Sequence, residues 1–430
     1  MNELWTQELL PPRFPPLHGD TETDILVIGG GMAGILCALR LQELGARYLL
    51  VEGGRIGGGI TKGTTAVLSA QHGAIYHDLM EKRGKEQAGQ YLRANLQAVE
   101  RFRTLSREIP CDFEDAPSIV YSMTDRKRME REAAAVRALG FRARFLDEVP
   151  LPHGVAGAVE FPHMAKFHPL KYLYGAARAL NIREKTFVQK IHGHTAITNH
   201  GSIRARRIII ATHFPFINRH GFYYMKLYQR RSFVIALENA PKIGCTIEDD
   251  AAGGIYLRNW GDLLLVGGGD HRTGKKGGGF AVPRAFARKY FPEAREVYAW
   301  ANQDCMSLDD VPYIGRYSLG FPHVLTATGF NAWGMTTSMV ASELLTDLAL
   351  GRKNELKSLY TPTRSMLTGQ LFANLGETAL NFIRPTPRRC PHLGCALRWN
   401  PAEHSWDCPC HGSRFEEDGG LIDNPAMRDL

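Results

Sequence analysis

Residues 24–34 read Asp24-Ile25-Leu26-Val27-Ile28-Gly29-Gly30-Gly31-Met32-Ala33-Gly34, and this stretch decides the fold. The apolar run Asp24–Ile28 predicts a buried parallel strand. Three spaced glycines follow at once: Gly29 for the tight turn, Gly31 for close approach of a pyrophosphate, and Gly34 for packing helix on strand. Ile35, Leu36 and Leu39 then fall on one face of a helix that Gly45 closes. A second apolar run, Tyr48 to Val51, ends at Glu52, where a carboxylate would accept both ribose hydroxyls and repel a 2′-phosphate. Strand, helix N-terminus, second strand and terminal acid together predict a dinucleotide-binding β-α-β unit; a glycine-rich turn alone would not.

Working outward, the 430-residue chain suggests about three domains at ~150 residues each. It is 44% hydrophobic and 22% charged, a soluble globular composition that excludes disorder and collagen-like repeats. No apolar run nears the ~18 residues needed to span a bilayer, so no integral membrane segment is expected. Positive charge (52 basic against 44 acidic residues) is dispersed, which favours anionic small ligands over nucleic acid. The first twenty residues carry no basic n-region, apolar core or twin arginine, and a cytoplasmic protein is expected. Helices are predicted over Asp78 to Leu105, from Pro169 after a capping His168, and from Thr336 to Leu350 before Gly351. Strands are predicted near 184–191, 204–212, 231–237 and 262–267.

Further residues make the flavin expectation specific. After Glu52 come Gly53-Gly54-Arg55-Ile56-Gly57-Gly58-Gly59-Ile60-Thr61 and Thr64-Thr65-Ala66, then Ile208-Ile209-Ile210-Ala211-Thr212. Beyond them stand Asp310-Val311-Pro312-Tyr313-Ile314-Gly315, Ala327-Thr328-Gly329-Phe330 and Gly334-Met335-Thr336. In this order the motifs resemble the D-amino-acid, glycine and sarcosine oxidase (DAO) superfamily of FAD-dependent enzymes. The resemblance implies an α/β fold, with a Rossmann-like FAD-binding domain interleaved with an α+β substrate domain. It implies FAD contacts at Gly29, Gly31, Gly34, Glu52, Gly58, Gly59, Thr61, Thr64, Thr65, Ala211, Gly315, Gly329, Gly334, Met335 and Thr336. Cys305-Met306 matches the family's segment for thioether attachment of the flavin, though with shorter spacing to Asp310; alternatively Cys305 is a small buried apolar residue.

Two positions depart from the sarcosine-oxidase pattern. Thr336 replaces a substrate-carboxylate lysine, and Leu263-Leu264-Leu265-Val266 lacks the lysine that helps oxygen react. The second departure favours an acceptor other than O2. Arg231, Arg258, His271 and Arg272 are candidates for holding an anionic substrate, since guanidinium forks suit carboxylates; each could equally be a surface or structural charge. His72 and His168 read as hydrogen-bonded turn or cap residues, not catalytic bases.

Half of the eight cysteines crowd into the C-terminal end. Cys390-Pro391-His392-Leu393-Gly394-Cys395 is separated from Cys408-Pro409-Cys410-His411-Gly412-Ser413 by the twelve residues 396–407, and fifteen residues lie between His392 and Cys408. In a large chain without secretion signals such a cluster indicates a metal site. Cys-x-His with Cys-x-x-His resembles a Rieske [2Fe–2S] site. The resemblance implies ligation by Cys390, His392, Cys408 and His411, with a disulfide between Cys395 and Cys410 and a Ser413 donor to a cluster sulfur. Structural zinc also takes Cys2His2 sets, but leaves Cys395, Cys410 and Gly412-Ser413 without a purpose. Phe415 stands where the family often has a tyrosine donor, which should lower the potential within the Rieske range.

The expected organisation is an FAD-dependent unit at 20–351, a linker at 352–383 and a small all-β Rieske domain at 384–430. Within the first, FAD-binding segments are placed at about 20–75, 160–215 and 305–351, and substrate-domain segments at about 76–159 and 216–304. A domain of ~45 residues is small to be stable alone, so it should lean on the flavin domain. The function expected is oxidation of an amine or amino-acid-like substrate, with electrons moving from FAD to the Rieske centre and on to an external acceptor. The alternatives are an O2-using amine oxidase with a structural cluster, and a reductase component for a partner enzyme.

Overall fold

A computed structural model describes residues 4–7, 9–217 and 220–430. The strand Thr21–Ile28 lies at the centre of the first sheet, parallel to both Tyr48–Val51 and Gly201–Ile210. Ile25, Leu26, Val27 and Ile28 are all buried, because helices or strands cover both faces. Outward from Gly201–Ile210 the sheet continues in parallel with Phe321–Thr328 and antiparallel with Thr195–Thr198. Helix Met32–Glu43 packs beside helix Gly334–Ala349, so two helix N-termini face the same space above the strand ends.

The second sheet has eight strands in the order Arg295–Met306, Tyr228–Glu238, Leu263–Arg272, Tyr256–Trp260, Thr246–Asp249, Ser118–Ser122, Gly157–Phe161 and Arg144–Leu146. All neighbours pair antiparallel except Thr246–Asp249 with Ser118–Ser122. The helices Tyr76–Leu105 and Pro169–Ala177 form as expected, the latter capped by the His168 side chain, which accepts from Lys171 N–H.

One predicted strand is divided. Instead of a run over 184–191, the chain pairs at Ile182–Arg183, leaves the sheet, and pairs again at Val188–His192. Glu184 causes the break. Its fully buried carboxylate accepts from the N–H groups of Ile56 (2.9 Å) and Phe14 (3.2 Å) and from Arg55 Nη1 (2.5 Å), contacts a ladder position could not reach.

The C-terminal strands Arg398–Asn400, Ser405–Asp407, Arg414–Glu416 and Leu421–Asp423 form a four-stranded antiparallel sheet. Buried Arg414 organises it, with Nε to Asp407 (3.0 Å), Nη2 to Glu403 (2.9 Å) and Nη1 to Asp423 (3.3 Å). The segment expected as a linker contains helix Gly369–Ile383, which faces the body with Leu371, Asn374 and Asn381. Its other large apolar residues point outward, with Phe372 65% and Ile383 80% exposed. Among the described residues no helix is long and apolar enough to cross a membrane.

The helix Tyr76–Leu105 begins on a buried acid: Glu132 accepts the Tyr76 and His77 N–H groups at 2.9 and 2.8 Å. Burial raises its carboxyl from 4.5 to about 7. The folded form then holds a proton that the unfolded chain releases, so this residue's contribution to stability is complete below pH 4.5 and declines up to about 7. Glu132→Gln should remove that decline, measured as a flatter dependence of the urea midpoint on pH between those values than in the parent protein.

Candidate active site

A cavity of about 580 Å3 opens where the two sheets meet the C-terminal domain. Gly29, at φ +113°, turns the chain beneath it; a Cβ there would fall 2.5 Å from Ala211 O. Gly34 lies off the cavity and serves the packing role read from sequence, since a Cβ would come within 1.8 Å of Gly29 O. Glu52 lines the wall, its carboxylate accepting the N–H groups of Gly30 (2.6 Å) and Gly54 (2.7 Å). Burial pushes this carboxyl up, and those two N–H groups oppose the shift. The second glycine turn clasps the first through Gly57 N–H to Gly30 O at 2.9 Å, and Thr61 Oγ1 accepts Met32 N–H at 3.2 Å.

Of the residues expected at FAD, Gly29, Gly31, Glu52, Gly59, Thr61, Thr64, Ala211, Cys305, Gly329, Gly334 and Met335 line this cavity. Thr65 lines a smaller neighbouring cavity. Gly58, Gly315 and Thr336 do not line the large one; Thr336 turns its hydroxyl to Ser69 O at 3.0 Å and to His72. His72 is a buried structural residue, bonded to Tyr91 and held by desolvation at a pKa of about 3. Cys305 is buried with Sγ 3.5 Å from Thr328 Oγ1, and desolvation pushes its thiol up to about 12.

The smaller cavity, about 120 Å3, shares Thr64, Asn302, Asp304, Ala332 and Met335 with the larger one. Arg258 lines it. This arginine donates from Nη1 to Thr65 O (2.5 Å) and Ala66 O (2.7 Å), and its guanidinium lies 5.6 and 5.7 Å from the rings of Trp5 and Trp260, which touch each other. Burial pulls its pKa down to about 9. The other anion-binding candidates are placed elsewhere. His271 stacks on Phe233 at 5.3 Å, while Arg231 and Arg272 bind the C-terminal domain.

The two cysteine–histidine loops close in the same way. Gly394 N–H donates to Cys390 O (2.8 Å), and Gly412 N–H to Cys408 O (2.9 Å). The sulfurs of Cys395, Cys408 and Cys410 lie within 4.8 Å of one another, and the Cys390 thiol is bonded to Cys408 and to Ser413. Neighbouring thiols, Cys390 first, hold the Cys408 thiol well below its usual range. The His392 and His411 rings are 4.9 Å apart. Among the described residues neither ring nitrogen of buried His411 has a hydrogen-bond partner, which suits a metal ligand. Cys395 and Cys410 are free thiols in this structure. The donor set fits an iron–sulfur centre.

Gln229 and Asn424, which the sequence reading did not find, join the loops to the large cavity, and Arg272 and Arg231, read there as substrate candidates, brace the C-terminal domain. Gln229 Nε2 donates to His411 O (2.9 Å) and Asn424 O (3.0 Å), and its Oε1 lies 3.0 Å from His213 Nε2 on the cavity wall. Asn424 Nδ2 donates to Thr212 O and Phe214 O, both at 2.9 Å. Arg272 donates to Pro409 O and Cys410 O, both at 2.9 Å, and Arg231 forms a buried ion pair with Glu403. Leu421, Asp423, Asn424 and Met427 themselves line the cavity. No local motif marks these positions, because each depends on a contact across more than a hundred residues.

Comparison with known proteins agrees with this geometry. Residues 24–348 match the DAO family, described as FAD dependent oxidoreductase, and residues 365–430 match the Rieske [2Fe-2S] domain. YhfW of Bacillus subtilis (strain 168), named as a Rieske 2Fe-2S iron-sulfur protein, is 30% identical over 492 residues, covering 99% of this chain and 96% of its own. Two solved structures share the fold. L-proline dehydrogenase from P. horikoshii has a TM-score of 0.67 at 18% identity, covering 82% of this chain and 98% of its own. Glycine oxidase from Geobacillus kaustophilus has a TM-score of 0.67 at 19% identity, covering 80% and 99%. The cradle for a dinucleotide, the paired cysteine–histidine loops and these matches place the chain in the DAO family of FAD-dependent oxidoreductases, with a Rieske [2Fe–2S] domain following the flavin unit.

Proposed function

We propose that the protein oxidises an amine or amino-acid-like substrate in the smaller cavity, and that electrons pass from FAD to a Rieske centre held by Cys390, His392, Cys408 and His411 and then to an external acceptor. The observation that carries this reading is the shared wall: Gln229 touches both His213, which lines the large cavity, and the backbone of His411. When bound, FAD supplies hydride acceptance and the iron–sulfur cluster supplies one-electron transfer.

The chain's own residues have definite tasks in this scheme. Glu52 takes the ribose, and the Gly29–Gly31 turn with the N-terminus of Met32–Glu43 takes the pyrophosphate. The N-terminus of Gly334–Ala349 directs its N–H groups at the large cavity, a favourable place for negative charge. Ser413 donates to Cys390, while Gln229, Gln303 and Arg272 hold the second loop by its carbonyls. Cys395 and Cys410 would join the two loops as a disulfide. Dehydrogenase chemistry fits better than oxidase chemistry because the Leu263–Val266 strand segment carries no lysine. The solved neighbours are named for the oxidation of proline and glycine, which supports an amino-acid-like substrate.

His411→Ala should lose the cluster's EPR signal and its iron while keeping FAD. Substrate should still bleach the flavin once, and turnover with a one-electron acceptor should collapse. Unchanged turnover would remove the cluster from the electron path, and stoichiometric zinc without iron in anaerobically prepared protein would replace it altogether.

The proposal includes a thioether from Cys305 Sγ to the flavin methyl carbon, which would form with loss of the thiol hydrogen and one methyl hydrogen, the flavin itself taking up the two electrons and two protons. Acid precipitation should leave a yellow pellet whose polypeptide carries the added flavin mass, and Cys305→Ala should give a colourless pellet. A yellow supernatant over unmodified polypeptide rejects the attachment.

A further inference from the structure

The smaller cavity holds more carboxyl groups than a simple amine would require. It lies on one face of the second sheet, and its acids come from three strands: Glu248 on Thr246–Asp249, Asp270 on Leu263–Arg272 and Asp304 on Arg295–Met306. Tyr256 pairs with Glu248 on one side and with Gly267 on the other. A Cβ at Gly267 would fall 1.9 Å from the Tyr256 ring, so that ring lies flat across the strand. Tyr256 and Trp333 give the cavity aromatic walls. Carboxylates beside aromatic faces make a receptor for an organic cation.

The protein supplies few cations of its own here. Arg230 Nη2 lies 4.0 Å from Asp270 Oδ2, and its side chain is 30% exposed. Arg231 is the other positive group near Asp304, but Glu403 already occupies it. Asp270 Oδ1 is buried with no hydrogen-bond partner among the described residues. Burial raises Glu248 to about 8, Asp270 to about 7 and Asp304 to about 6, as expected of carboxyls lacking enough counter-charge. A second, independent feature of opposite sign lines the same cavity. Arg258 is only 2% exposed, and its buried Nη2 has no hydrogen-bond partner among the described residues. A buried guanidinium with an unused donor calls for an anionic acceptor.

The positions differ in their relation to the cofactor. Asp304 lines both cavities, whereas Glu248, Asp270 and Arg258 line only the smaller one. We infer that the substrate is a basic amino acid, its carboxylate received by Arg258, one nitrogen beside Asp304 where the cavities meet, and a second cationic nitrogen held by Glu248 and Asp270. This rests on the amine-oxidation reading above and narrows it to a chemical class. A neutral side chain in that place would leave two carboxyls desolvated and unmatched.

The test mixes the intact holoprotein, without oxygen, with matched pairs that differ in the distal cation: lysine against norleucine, and ornithine against norvaline, in both enantiomers. Flavin bleaching gives the rate, and the shift in melting temperature reports binding separately. The basic member should bleach the flavin at least about tenfold faster, since a single charge-assisted contact supplies that factor. Glu248→Gln and Asp270→Asn should each shrink the ratio within a pair. The wild-type comparison stands even if a variant fails to fold. Equal rates and equal melting shifts within each pair would overturn the inference while leaving amine oxidation intact. Cadaverine acting as well as lysine would remove Arg258 from recognition. Bleaching by neither these compounds nor a wider panel of amines would overturn the oxidation reading itself.

Discussion

Gln229 commits both its amide hydrogens and its carbonyl oxygen to joining two places, the second cysteine–histidine loop and the cavity wall. Its amide nitrogen holds the carbonyls of His411 and Asn424, and its oxygen meets His213 on the wall of the flavin cavity. Gly412 fits against it only because it has no side chain; a Cβ would sit 2.6 Å from Gln229 Cβ. On the electron path proposed above, transfer weakens steeply with separation, and this amide is the contact that keeps the His411 loop against the wall of the large cavity. Arg272, Gln303 and the Arg231–Glu403 pair repeat the arrangement around the same loop.

These contacts also explain how so small a C-terminal domain holds its shape. Its four strands are three residues each, and its apolar core is small, built on Leu397, Phe415 and Ala426 with the four cysteines. Arg414 substitutes an ionic centre, satisfied by Glu403, Asp407 and Asp423 together. Such a buried network tolerates no missing partner, since each carboxylate depends on the same guanidinium. Glu403 is shared with Arg231 of the flavin unit, so the ionic centre extends across the boundary between domains.

The parts legible in the sequence are the local ones. The strand–turn–helix at residues 24–43 and the cysteine–histidine spacing depend on neighbours a few positions away, and pattern alone carries them. The limits lie with long-range partners. Arg231 and Arg272 have the composition of substrate anchors, yet β-sheet register aims them at Glu403 and at the carbonyls of Pro409 and Cys410. The strand over 184–191 is interrupted because Glu184 finds Ile56 and Phe14, 128 and 170 residues away in sequence. Arg258 alone of the four candidates stays at a cavity, and nothing in its flanking residues distinguishes it from the others.

Helix Gly369–Ile383 is attached in an unusual manner, by Asn374 to Arg272 and to Met225 O and by Asn381 to Ala396 N–H, with its phenylalanines turned outward. Of the three side chains it buries, two are amides and one is apolar, Leu371. Polar hydration lowers heat capacity where apolar hydration raises it, so opening this contact changes heat capacity less for its area than core unfolding does. The attachment therefore weakens less on cooling than a greasy contact does.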